Sequence, residues 1–262
     1  MPDSARLTDG FSDIAVAGHR PEVEIIEADG PVLVVCDHAS NHVPPDLAGL
    51  GLPRRELQRH IAWDIGAAEV GRRLAGRLGA SVVLCGISRL VIDCNRPLGH
   101  PTSICPVSDG TVVPGNQSLD ARSVAVRAAK YFHPYHAAIG AQLARLESSA
   151  RRVALIAIHS FTPCKDGQSR PWHAGVLWNL DGRLALPLIR ALRDRGDICV
   201  GDNQPYSGRD SNYTVDIHGR DHGRPHVSIE IRQDEVGDLA GVLRWAEILA
   251  AVLSPLLSDV LG

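Results

Sequence analysis

Lysine is nearly absent: the chain of 262 residues holds two, against 25 arginines. Thirty acids offset these to a formal net charge of -3, and the arginines are scattered, which argues against a nucleic-acid surface. One or two arginines remain available to recognise a bound anion. No stretch reaches 18 apolar residues, and the start MPDSARLTDG has no basic segment followed by an apolar core. Neither a membrane span nor a secretion signal is therefore expected, and the cytoplasm is the default location. The six cysteines, at 36, 85, 94, 105, 164 and 199, include no CxxC pair, so a cysteine zinc site is not indicated. Cys36, Cys85 and Cys199 lie in or at the ends of apolar runs and read as buried, reduced thiols. Cys164 has no evident activating base. Internal repeats and low-complexity tracts are also missing.

What is present is a repeated junction between apolar and reactive residues. VLVVC precedes Asp37-His38, RLVI precedes Asp93-Cys94-Asn95-Arg96, ALIAI precedes His159-Ser160, and Val227 to Ile231 contains Glu230. Short runs of branched residues are buried strands, so polar groups at their ends gather where a sheet meets solvent. With 44% hydrophobic and 22% charged residues, the chain reads as one α/β domain over 1–262. The expected architecture is a three-layer α/β/α fold around a mixed, largely parallel sheet. Residues 1–30 are expected to form a peripheral arm, with an edge strand at Val23 to Ile26.

Strands are expected at 31–36, 81–85, near Leu90, and at 153–158, 174–178, 198–200 and 226–231. Helices are expected at about 54–78, where Leu57, Ile61, Ile65, Ala68, Leu74 and Leu78 recur at near-helical spacing before Gly79, and at 119–148, 184–194 and 235–257. The segments 100–116 and 201–224 are long enough to cover a site.

His38 and His159 each follow or end a strand, where an imidazole nitrogen can bind zinc or a similar divalent ion. The third ligand is either Asp64 or Asn41. Asp64 lies in an apolar stretch, where a buried carboxylate needs a metal or cation, and it would share a helical face with His60. In VSIEIR, alternation sets Ser228, Glu230 and Arg232 on one side of the strand, and Glu230 suits a proton carrier because its pKa rises on desolvation. Asn95 and Arg96 offer a directed donor and a rigid fork for a carboxylate, with Arg89 a second candidate for the same anion. His218 could hydrogen-bond substrate or intermediate.

The ordered segments CDHASNHVP, HIAWDIGA, SRLVIDCNRP, TVVPGN, YFHPYH, IHSFTP, HAGVLWN and IEIRQD closely resemble the N-formylglutamate amidohydrolase family, whose fold is similar to that of zinc carboxypeptidases. They span about 34–234. The resemblance implies hydrolysis of an N-formyl or short N-acyl amide of an acidic amino acid, N-formyl-L-glutamate first, by water activated on one zinc ion. By that likeness His38 and His159 are metal histidines, Glu230 the base, and Asn95 with Arg96 the clamp for the α-carboxylate. Arg89 or an arginine at 209, 220 or 224 would serve a side-chain carboxylate. Zinc carboxypeptidases would have glutamate where this chain has Asn41, which disfavours a peptidase and leaves Asp64 as the preferred third ligand. The partner expected is a small N-acyl amino acid, with no nucleic acid or membrane. The alternatives are a metallocarboxypeptidase, another small-acyl amidase, or a non-catalytic binding protein.

Overall fold

The strand VLVVC shows how the layers arise. Its five residues are all buried, but successive side chains serve opposite faces of the sheet: Val32, Val34 and Cys36 enter one apolar cluster, Leu33 and Val35 the other. A sheet apolar on both faces needs helices on both, and a computed structural model, which describes residues 21–150, 152–210 and 212–262, places them there. The first 20 residues of the expected arm lie outside the described residues.

In chain order the elements are β1 (Val23–Ile26), β2 (Val32–Cys36), α1 (Arg54–Leu57), α2 (Ala67–Leu78), β3 (Ser81–Cys85) and a small hairpin of β4 (Val107–Ser108) and β5 (Thr111–Val112). Next come α3 (Ala121–Arg127), a π-helical turn (Ala128–Phe132) leading into α4 (His133–Glu147), β6 (Ala154–Phe161), and a second hairpin of β7 (Cys164–Lys165) and β8 (Gln168–Ser169). The chain ends with β9 (Ala174–Leu177), α5 (Ala185–Asp194), β10 (Val200–Asp202), α6 (Tyr213–His218), β11 (His226–Arg232) and α7 (Leu239–Leu261). The main sheet has the order β1-β3-β2-β6-β11-β9-β10. Strands β3, β2, β6 and β11 run parallel, β1 and β9 pair antiparallel with β3 and β11, and β10 is parallel to β9. This is the expected three-layer, mixed and largely parallel architecture.

Helices α2, α5 and α7 cover one face through Leu74, Leu188 and Trp245; α4, with Tyr135, Ile139 and Leu143, covers the other. By length and composition α7 could cross a membrane. Here its Val242, Trp245, Leu249, Leu253 and Leu257 are core residues, packed in the layer of α2 and α5. Of the thiols, Cys36 and Cys85 are buried as expected, whereas Cys199 is exposed just before β10.

Two expected elements are corrected. The run near Leu90 is a turn, held by Arg89 N–H and the Ser88 hydroxyl donating to the Ala62 carbonyl. The expected helix 54–78 exists only as α1 and α2. Between them the chain leaves the helix, because Asp64 N–H donates to the His38 carbonyl and Gly66 takes a left-handed φ of 80°. A Cβ on Gly66 would lie 2.3 Å from the Val236 carbonyl oxygen. Gly66→Ala is therefore expected to lower unfolding stability by at least about 1–3 kcal/mol. An unchanged denaturant midpoint would show that this turn does not need its glycine.

Candidate active site

The site assembles at the carboxyl ends of β2, β6 and β11. His38 lies two residues beyond β2, and His159 sits within β6 directly beside Glu230 of β11 in the parallel register. Alternation puts Val227, Ile229 and Ile231 in the α7-side cluster and leaves Glu230 on the opposite face, the one His159 shares. The turn before Gly66 brings Asp64 between the histidines. His38 Nδ1 is 3.2 Å and His159 Nδ1 2.9 Å from the same oxygen, Asp64 Oδ2. One ligand atom from each residue lies within 4.8 Å of the others, and all three side chains are buried.

The other nitrogen of each ring meets a second carboxylate. His38 Nε2 is 2.8 Å from Asp93 Oδ1, and His159 Nε2 is 3.2 Å from Asp37 Oδ2. Asp37 is held in turn by the Thr214 hydroxyl, donating at 2.6 Å, and Asp93 by the backbone N–H of Asn95 at 2.9 Å. Outer carboxylates of this kind fix the tautomer and orientation of metal-binding imidazoles. Two imidazoles converging on one carboxylate, each backed by another, are a donor set that could hold a divalent metal. His60, expected to share a helical face with Asp64, instead pairs with Asp109 at 3.4 Å, because 58–66 is not helical. Asn41, the alternative third ligand, is not in the cavity wall.

Burial disfavours charge on His38, but Asp93 and Asp64 outweigh it and raise its pKa to about 9. Burial and the neighbouring carboxylates of Asp37 and Asp64 compete in the same way at His159, and the acids again win, raising its pKa. Asp64 and Asp93 are correspondingly held well below the usual carboxylate range against the opposition of burial: Asp64 chiefly by His38, and Asp93 chiefly by Arg89. Glu230 goes the other way. Burial pushes its pKa up to about 7, with the nearby His159 opposing, and its Oε2 has no hydrogen-bond partner among the described residues.

These groups line a cavity of about 240 Å³, which suits a small substrate, since drug-sized ligands occupy roughly 300–1,000 Å³. Both long segments contribute to it, through Thr102, Cys105, Ser108 and Asp109 and through Tyr206 and Asn212. Asn95 and Arg96 are in the wall. The Asn95 Oδ1 accepts the Thr214 N–H, leaving its amide donors for a ligand, and Arg96 makes no ion pair among the described residues. Arg89 is also in the wall, but its guanidinium is engaged by Asp93 at 2.6 Å and Asp64 at 3.5 Å. His218 is outside the wall, stacked on His136 with Nε2 3.0 Å from His136 Nδ1. The loop arginines are likewise outside it. Arg209 stands over Trp178, Arg220 pairs with Asp216 and Asp221, and Arg224 with Glu147. Thr214, Tyr206 and Lys165, with Asp37, complete the site. Only Asp37, adjacent to His38, carried a readable signal.

A family model described as N-formylglutamate amidohydrolase matches residues 30–236. The chain belongs to the N-formylglutamate amidohydrolase family. Membership and the His38-Asp64-His159 cluster together make it a hydrolase of amide bonds in small molecules. The gene product Atu2144 of Agrobacterium tumefaciens has a crystal structure that is similar over 91% of this chain and 96% of its own, with 33% identity and a TM-score of 0.88. An N-formylglutamate amidohydrolase of Ralstonia eutropha JMP134 shares the amidohydrolase fold at 18% identity, with a TM-score of 0.64 over 91% of this chain and 98% of that one. No functionally curated protein matches the chain.

Proposed function

We propose that this amidohydrolase removes an N-formyl or other short N-acyl group from an acidic amino acid, N-formyl-L-glutamate first, with zinc as the ion at His38, Asp64 and His159. The observation that carries the reading is Glu230: a buried carboxylate with an unpartnered oxygen, beside His159 in a cavity that also presents Asn95 and Arg96. A bound divalent ion supplies polarisation of the acyl oxygen and a lower pKa for water. Glu230, near neutrality in pKa, takes a proton from the attacking water and delivers it to the amide nitrogen as the C–N bond breaks, giving the free acid and the amine. Arg96, with its planar fork unpaired, and the Asn95 amide hold the α-carboxylate and so place the acyl carbon. Asp93 and Asp37 keep the imidazoles oriented. Six free cysteines accord with a reducing, cytoplasmic setting.

A panel of N-formyl, N-acetyl and N-succinyl amino acids assayed with added zinc tests the substrate. N-formyl-L-glutamate is expected to give the highest kcat/KM. Preference for a neutral amino acid or a larger acyl group would refute that choice while leaving the hydrolase intact, and release of C-terminal residues from ordinary dipeptides would favour a carboxypeptidase.

A further inference from the structure

The cavity wall contains three permanently cationic side chains, Arg89, Arg96 and Lys165. Arg89 is neutralised by Asp93 and Asp64, so it has little charge left to offer a ligand. Glu230 apart, the acids of the wall are also engaged: Asp109 by Arg59 and His60, Asp64 and Asp93 by Arg89 and His38. Arg96 and Lys165 make no ion pair among the described residues. Lys165 is one of only two lysines, and the other, Lys130, is tied to Asp46 at 2.9 Å.

Lys165 is also placed by the backbone. It ends β7, which follows β6 and its His159 after two residues, and it pairs with Gln168 across the two-residue turn Asp166-Gly167. Both turn residues have positive φ, 52° and 76°, the geometry of a tight hairpin with a set register. The ammonium lies over the Tyr206 ring, 6.0 Å from its centroid, and Arg170 clamps that tyrosine by donating to its hydroxyl at 3.0 Å.

We infer that Lys165 selects the substrate by binding the side-chain carboxylate of the acidic amino acid, while Arg96 holds the α-carboxylate. This rests on the substrate reading above and replaces the expectation that Arg89 or an arginine of the 209–224 loop serves that carboxylate. A compact ammonium on a flexible stem suits a terminal carboxylate, whereas the clamp at the α-carboxylate uses the directional fork of arginine. Lys165 is exposed at the cavity edge, so replacing it leaves the core intact.

The test compares N-formyl-L-glutamate with its neutral isostere N-formyl-L-glutamine in the zinc-loaded parent, K165M, K165E and K165R. K165M is expected to reduce the glutamate-to-glutamine ratio of kcat/KM by about tenfold or more, as loss of a charge-assisted hydrogen bond would. The loss should lie in KM for the acidic substrate with kcat within about twofold, K165E should lose more, and K165R should recover most of the preference. An unchanged ratio in K165M, in a parent that prefers glutamate, overturns the role of Lys165 alone. A parent that does not discriminate between the two overturns both this inference and the substrate reading.

Discussion

Glu230→Gln is expected to lower kcat by about 10²-fold or more while the protein retains its fold and its metal. The amide has the shape of the carboxylate but cannot accept and return a proton. Because Glu230 Oε2 has no hydrogen-bond partner among the described residues, the exchange breaks no structural contact of that atom. The pH dependence separates this role from a packing role. With the Glu230 pKa raised to about 7 by burial, the parent's kcat/KM should rise with pH towards neutrality, and the residual activity of the variant should lack that limb. Stability has the opposite sign. The folded state holds the Glu230 proton more tightly than the unfolded chain does, so this contribution is fully present below about pH 4.3 and is lost as pH rises through about 7. With metal chelated from both, E230Q should therefore be at least as stable as the parent at pH 8. Elemental analysis, steady-state kinetics and Tm check the three parts; near-normal turnover in metal-loaded E230Q would remove Glu230 from the proton-carrying role.

The residues that local pattern located correctly are those whose position follows from strand periodicity. Alternation put Glu230 on the polar side of its strand, whereas His159 was read only as following a strand that in fact continues through it to Phe161; that the two strands are neighbours is a fact of the fold. His38 was legible because a buried run ends just before it. Asp64 was picked for its chemistry, a carboxylate in an apolar stretch, although the helix drawn around it was wrong. Ile61 is buried whether or not the backbone is helical, so the spacing of Leu57, Ile61 and Ile65 imitates a helix across a segment that a single left-handed glycine redirects. His218 lies outside the cavity wall for a different reason. What decides its position is a partner 82 residues earlier in the chain, His136, and such a pairing has no local signature. Arg89 shows the same limit: its attraction for a substrate anion was inferred without the two acids that the fold brings to it, one of them 25 residues away. The turn preceding Gln168 is readable as Asp-Gly, but that it would carry Lys165 to the cavity depends on where β6 ends in space.

The metal-stripped protein is expected to release more than one proton for each divalent ion it takes up at pH 7. His38, with its pKa raised to about 9 by Asp93 and Asp64 against burial, is protonated there; His159 is raised in the same direction by Asp37 and Asp64, and both must be neutral to bind a metal. Two histidines of ordinary pKa, ~6.5, would together release only about half a proton. Apparent affinity should thus climb by more than one log unit per pH unit through neutrality. The stripped protein's own stability runs the other way: the raised pKa of His38 stabilises it fully below about pH 6.5 and is lost as pH rises through about 9. Substitutions divide the site into layers. Asp93→Asn, which leaves the three donors but removes the carboxylate behind His38, should weaken binding by about 10–100-fold and bring the proton count towards one. Asp64→Ala removes the oxygen on which both imidazoles converge and should exceed that range, with activity lost in parallel. Titration calorimetry in two buffers of different ionisation enthalpy gives the proton count, and competition with a chromophoric chelator gives the affinities. Release of half a proton or less, with D64A binding as tightly as the parent, would place the metal elsewhere than on His38, Asp64 and His159.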